Sequence, residues 1–105
     1  MDINMVKPLQ LGILGGGQLA LMMAEAATAL PIKASVMVKR LTDALPGLAG
    51  VATVGDWDDP VAVAAFASTM DVITLENEFV APEALAAIEQ AGVPLRPGLA
   101  TIRLI

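Results

Sequence analysis

Apolar residues fall along this chain in short compact runs, separated by stretches in which they recur every three or four positions. "LQLGIL", from Leu9 to Leu14, has the length of a buried strand. Behind it Leu19, Met22, Met23, Ala26, Ala27 and Leu30 recur at helical spacing, which predicts a helix with that inward face, stopped by Pro31. "IKASVMV" is rich in β-branched residues and reads as a second strand. "KRLTDALPGLAG" reads as a weak helix or a loop broken by Pro46 and Gly47, and "VATV" as a short third strand.

The second half repeats the scheme with clearer punctuation. In "WDDPVAVAAFASTM" Asp59 can cap a helix, Pro60 suits its first turn, and Val63, Phe66, Ala67 and Met70 share one face. "DVITL" is a fourth strand. "APEALAAIEQAG" is a third helix, with Pro82 near its start, Glu83 in its first turn, Leu85 and Ile88 inward and Gly92 closing it. "VPL" is a fifth strand. After Pro97 and Gly98, Leu99, Ile102 and Ile105 begin a further amphipathic helix that has no stop signal, so the chain is expected to be an excised or truncated piece.

Strands and helices alternating at this spacing predict parallel βαβ units. The expected fold is a Rossmann-like α/β domain, a parallel sheet of four to five strands flanked by helices, with residues 1–105 forming one domain.

Composition narrows the chemistry. Hydrophobic residues make up 56% of the 105, above the usual share of about 45–50%, so some apolar surface is expected to meet a partner. Charged residues or proline interrupt every apolar run before it could span a membrane, and the start "MDINMVKP" is unlike a signal peptide. A cytoplasmic setting is expected. Cysteine and histidine are both absent, which removes disulfides, thiol nucleophiles, ordinary zinc sites and imidazole acid–base chemistry. The net charge is −5 and the basic residues are scattered, which argues against nucleic acid as a partner.

Between the first strand and first helix, Gly15, Gly17 and Ala20 fit the spacing G-x-G-x-x-G/A. Glycines at a helix start let a ligand approach backbone N–H groups at the positive end of the helix dipole. A dinucleotide site would also need an acid at the end of the second strand, where this chain has Lys39 and Arg40. That pair suits the 2′-phosphate of NADP better than NAD, so a free-standing Rossmann domain binding NADP or a related nucleotide is one reading. The Gln18 amide can both donate and accept, and points to a different small ligand.

The second candidate cluster is "TLENEFVAPE", where Glu76 and Glu78 would face the same sheet edge as Gly15–Gln18. In "GDWDDP", Asp56, Asp58 and Asp59 resemble an oxygen-ligand set, but a helix cap explains Asp59 and the helix dipole Asp58. Trp57 is expected to be partly buried, and Met22, Met23, Met37 and Met70 to lie in the core.

Together "GILGGGQLALMMAEAA", "GDWDDPVAVAAFA", "DVITLENEFV" and "GVPLRPGLATIRLI" resemble the first domain of the 5-(carboxyamino)imidazole ribonucleotide synthases, purine-biosynthesis members of the ATP-grasp superfamily. The likeness runs from about Leu9 to the end of the chain. It implies a pre-ATP-grasp domain with a Rossmann-like fold that supplies part of a ribonucleotide site. Gly16, Gly17, Gln18 and Leu19 would line the pocket, and Glu76, with Glu78 as second acid, would reach the substrate from the opposite loop.

The same resemblance implies ATP and Mg²⁺ as requirements of the full-length enzyme, held by its later domains. No catalytic, cofactor-binding or metal-binding residue is expected in this chain, which would be inactive alone and prone to form homo-oligomers. Three places depart from the family pattern, one of them Ala20, which replaces the Gly common after Gln-Leu. Lys39 and Arg40 stand where many members carry Asp, and Phe79 stands where a polar residue is usual.

Overall fold

The computed structural model describes residues 7–76 and 80–96. Glu78 and the helix expected beyond Leu99 lie outside the described residues. Strand β1 (Leu9–Leu14) leads into α1 (Gln18–Ala27), then β2 (Ile32–Val38), β3 (Ala52–Val54), α2 (Pro60–Ala67), β4 (Val72–Leu75), α3 (Pro82–Gln90) and β5 (Leu95–Arg96). The five strands form one sheet in the order β3-β2-β1-β4-β5. Every neighbouring pair is parallel, with Leu14 beside Met37 on one side and Leu75 on the other.

Side chains alternate across the sheet and divide the core into two layers. Ile13, Val36 and Val38 face α1, where they join Ala20 and Leu48 in one buried cluster. Leu14, Met37 and Ile73 face the other way, against Val63, Phe66 and Ala67 of α2 and Ala84, Leu85 and Ile88 of α3. At about 1.5–3 kcal/mol for each large apolar side chain removed from water, these two layers are what hold the sheet between its helices.

Local signals act as the sequence predicts at both ends of the second half. The Asp59 side chain accepts a hydrogen bond from the Val61 N–H at 3.0 Å and caps α2. Gly92, at φ +79°, closes α3: its N–H donates to the Glu89 carbonyl and the Val93 N–H to the Ile88 carbonyl, the paired bonds of a Schellman turn.

The inward face of α1 differs from the prediction. Leu19, Met22 and Leu30 are 52%, 57% and 56% exposed and Ala26 is exposed too, while Ala20 and Ala27 are buried and Met23 and Ala24 pack against the core. Gln18 and Glu25, the only polar residues of the helix, are seven positions apart and so lie on one face. Water takes that face, and the small residues opposite set the helix against β1 and β2. Met22 is accordingly not a core residue, and Leu30 lies in the turn beyond the helix. The segment read as a weak helix or a loop holds two short 3₁₀ turns, Leu41–Asp43 and Pro46–Val51.

Candidate functional site

The sheet order reverses direction between β1 and β4, so their connections leave the carboxyl edge on diverging paths, where open α/β sheets hold ligands. The glycine turn lies at the end of β1 and Glu76 at the end of β4. Both are fixed by continuation of the ladder: the Gly15 N–H donates to the Met37 carbonyl and the Glu76 N–H to the Leu14 carbonyl, each at 3.0 Å.

Glu76 lies along the turn. Gly15 has φ +132°, which a side chain rarely adopts, and a Cβ there would stand 2.8 Å from the Glu76 Cβ. A Cβ on Gly17 would stand 2.9 and 3.0 Å from the two Glu76 carboxylate oxygens. Gly16 is buried against Val38 and Ala44, and its carbonyl accepts from the Leu45 N–H at 2.9 Å. Of the predicted pocket residues, Gly17 and Glu76 therefore meet directly, while Gly16 faces the 3₁₀ segment and Gln18 and Leu19 are exposed at the helix start.

The Glu76 Oε2 atom accepts a hydrogen bond from the Ala20 N–H at 2.9 Å. Gly17, the N-cap position of α1, has no side chain to do this, so the cap comes from a strand 56 residues away. The negative carboxylate also sits at the positive end of the α1 dipole. In the dinucleotide-binding version of this fold a pyrophosphate occupies that place. Here an internal anion takes it, and a second anion against it would be repelled.

Lys39 and Arg40, the candidate 2′-phosphate ligands, are engaged elsewhere. The Lys39 ammonium lies 2.8 Å from Asp58 Oδ2, 3.7 Å from Asp56 Oδ1 and 5.4 Å from the centre of the Trp57 ring. Its hydrogen bond to Asp58 raises the Lys39 pKa above the ordinary lysine value. The same bond, with one from the Ala81 N–H, lowers the Asp58 pKa below the usual carboxylate range. Arg40 pairs with Asp43 at 3.4 Å. A 2′-phosphate would have to compete with these carboxylates of the chain itself for either cation.

The role of Asp58 was missed in the sequence, which pointed to the α2 dipole. The pairing of Val38 with Val54 brings Lys39 and the acids after Gly55 out side by side from neighbouring strands, a register that the local sequence does not record. Trp57 is half-buried against the core, as expected.

The chain is similar to known proteins over nearly its whole length. The model of the ribonucleotide synthetase preATP-grasp domain matches residues 9–105. An N5-carboxyaminoimidazole ribonucleotide synthase from Synechococcus elongatus is 40% identical over 103 residues, covering 97% of this chain and 26% of the relative. A solved N5-carboxyaminoimidazole ribonucleotide synthetase in complex with ADP superposes with a TM-score of 0.80 at 30% identity, over 93% of this chain and 26% of that one. The Aspergillus clavatus enzyme, solved in complex with ADP and 5-aminoimidazole ribonucleotide, superposes at 0.71 with 32% identity, over 92% and 26%. The chain thus spans about a quarter of the length of these relatives.

Proposed function

Because the chain belongs to the ribonucleotide synthetase preATP-grasp domain family, we propose that it supplies the ribonucleotide half-site of an ATP-dependent ligase of purine biosynthesis. The reaction on this reading is carboxylation of the exocyclic amine of aminoimidazole ribonucleotide by bicarbonate, with ATP giving ADP and phosphate. The A. clavatus relative, crystallised with both ADP and that ribonucleotide, supports the substrate. On this reading ATP and Mg²⁺ are taken by parts of the enzyme that this chain does not span. A cytoplasmic setting goes with the same reading.

One observation carries the assignment: the Glu76 carboxylate, half-exposed at the strand-order reversal, is held against the glycine turn by the Ala20 N–H. One oxygen is committed to the helix, which fixes the other in place before any ligand arrives. A preset acceptor of this kind suits a ribose hydroxyl or an amine, both of which donate. The exposed Gln18 amide stands at the start of the same helix and can donate to or accept from the ligand. The chain's contribution is orientation of the nucleotide, with residues Gly17–Leu19, Glu76 and Glu78 as its contacts.

In calorimetric titration of the folded chain, aminoimidazole ribonucleotide is expected to bind, and Gln18→Ala to weaken that binding about fivefold, the value of one hydrogen bond near 1 kcal/mol. Unchanged affinity in the variant would count against the pocket.

The chain is further proposed to self-associate through α1 and the turn beyond it, which expose Leu19, Met22 and Leu30. Sedimentation velocity at rising concentration should show a dimer that Met22→Lys abolishes. A monomer throughout would sink this part of the account.

A further inference from the structure

The glycine turn has the parts of a phosphate cradle, and the cradle is filled from within. Gly15 and Gly17 clear the approach, and the first N–H groups of α1 have no acceptor inside their own helix. An anion is seated against them at hydrogen-bond distance, but it is the Glu76 carboxylate, 2.9 Å from the Ala20 nitrogen. Its two oxygens stand 2.9 and 3.0 Å from the place a Gly17 Cβ would take, and so occupy the space that a phosphoryl oxygen would need. No cation cancels the charge. Lys39 pairs with Asp56 and Asp58, Arg40 with Asp43, and among the described residues no lysine or arginine pairs with Glu76. The Ala20 N–H and the α1 dipole are what hold it.

We propose that Glu76 determines specificity by exclusion: its carboxylate keeps pyrophosphate-bearing nucleotides, ATP and dinucleotides among them, out of the glycine turn. An approaching pyrophosphate meets a fixed negative charge and finds the Ala20 N–H taken, so it gives up water without gaining that donor. A ligand that brings hydroxyls or an amine meets an acceptor already in place. A monophosphate with such donors can present them to the carboxylate, whereas a nucleotide gripped by its phosphates cannot. In a ligase that uses both ATP and a ribonucleotide, Glu76 thereby keeps the first from the place of the second. That consequence rests on the proposed function, while the exclusion itself does not.

The test is calorimetric titration of the chain with inorganic pyrophosphate and with NADPH, each followed by amide chemical-shift mapping. The parent should bind neither at the turn. Glu76→Gln, which removes the charge and keeps an acceptor for Ala20, should gain pyrophosphate affinity by at least about tenfold, and Glu76→Ala, which also clears the space, should gain more. The new shifts should centre on Gln18, Leu19 and Ala20. Glu83→Gln, at the exposed start of α3, lowers the net charge by the same unit and should behave as the parent. Ribonucleotide affinity should move the opposite way in the two Glu76 variants, a split that loss of a helix cap would not produce, since a looser fold weakens both ligands. Pyrophosphate shifts at the turn of the parent overturn the inference. So does a Glu76→Gln chain that folds without gaining pyrophosphate, a Glu83→Gln chain that gains as much, or new shifts that lie at Lys39 and Arg40 instead. If Glu76→Ala does not fold, Glu76→Gln decides alone. A parent chain that does not bind the ribonucleotide overturns the half-site reading, and the pyrophosphate titrations still decide the exclusion.

Discussion

Gly15→Ala is expected to destabilise the chain by roughly 3 kcal/mol, combining a backbone conformation that costs a side chain about 1–3 kcal/mol with an overpacking penalty of similar size. The first term comes from φ +132° and the second from the 2.8 Å approach of the new Cβ to the Glu76 Cβ. Relief of the clash moves Glu76 off the helix, so the Ala20 N–H loses its acceptor as well. Gly50→Ala is the matching control, because nothing lies within 4 Å of its Cβ and its φ is not positive. It should change stability by no more than about 0.5 kcal/mol. Urea denaturation of the two variants beside the parent chain measures both. A loss below about 1 kcal/mol at Gly15 would mean that the turn relaxes freely and that Glu76 is not pressed against it.

Glu76→Ala should have the larger effect on function. Losing the cap costs about 1 kcal/mol of stability. Losing a hydrogen bond from the ligand to a charged acceptor costs about 1.5–3 kcal/mol of affinity, or roughly ten- to a hundredfold in ribonucleotide binding. Glu76→Gln separates the two roles. Its amide oxygen can still accept from Ala20, so stability should stay near that of the parent, but without the negative charge ribonucleotide binding should still fall. If Glu76→Ala bound the ribonucleotide as well as the parent while melting earlier, Glu76 would be a helix cap and nothing more.

The sequence was most readable where burial and punctuation agreed. β1 and β2 stand at their predicted bounds because each is a short apolar run stopped by Gly or by charge. α2 and α3 were legible through Asp59, Pro60, Pro82 and Gly92, each of which acts on its own backbone. α1 was harder because apolar residues surround it, and large side chains drew attention to a face that the fold leaves in water. The two polar positions, Gln18 and Glu25, carried the true orientation. Between β2 and β3, Pro46 and Gly47 open the second 3₁₀ turn, but its seating depends on Leu48 reaching the α1 layer, which no local pattern records.

The site was legible to the same limited extent. The place of Glu76 at the carboxyl edge was legible because it directly follows a central parallel strand. Its bond to Ala20 was not, because the partners are brought together only by the β1–β4 pairing. The partners of Lys39 and Arg40 were hidden for the same kind of reason. Their acids arrive on the next connection or the next turn, and local charge alone could not show that they meet.

Amide chemical-shift mapping of this chain with aminoimidazole ribonucleotide, NADPH and ATP in separate titrations tests the central claim most directly. The account predicts ribonucleotide shifts confined to Gly15–Leu19 and Glu76, with no such pattern from NADPH. NADPH shifts running from the glycine turn to Lys39 and Arg40, or a ribonucleotide titration that leaves Glu76 unmoved, would contradict it.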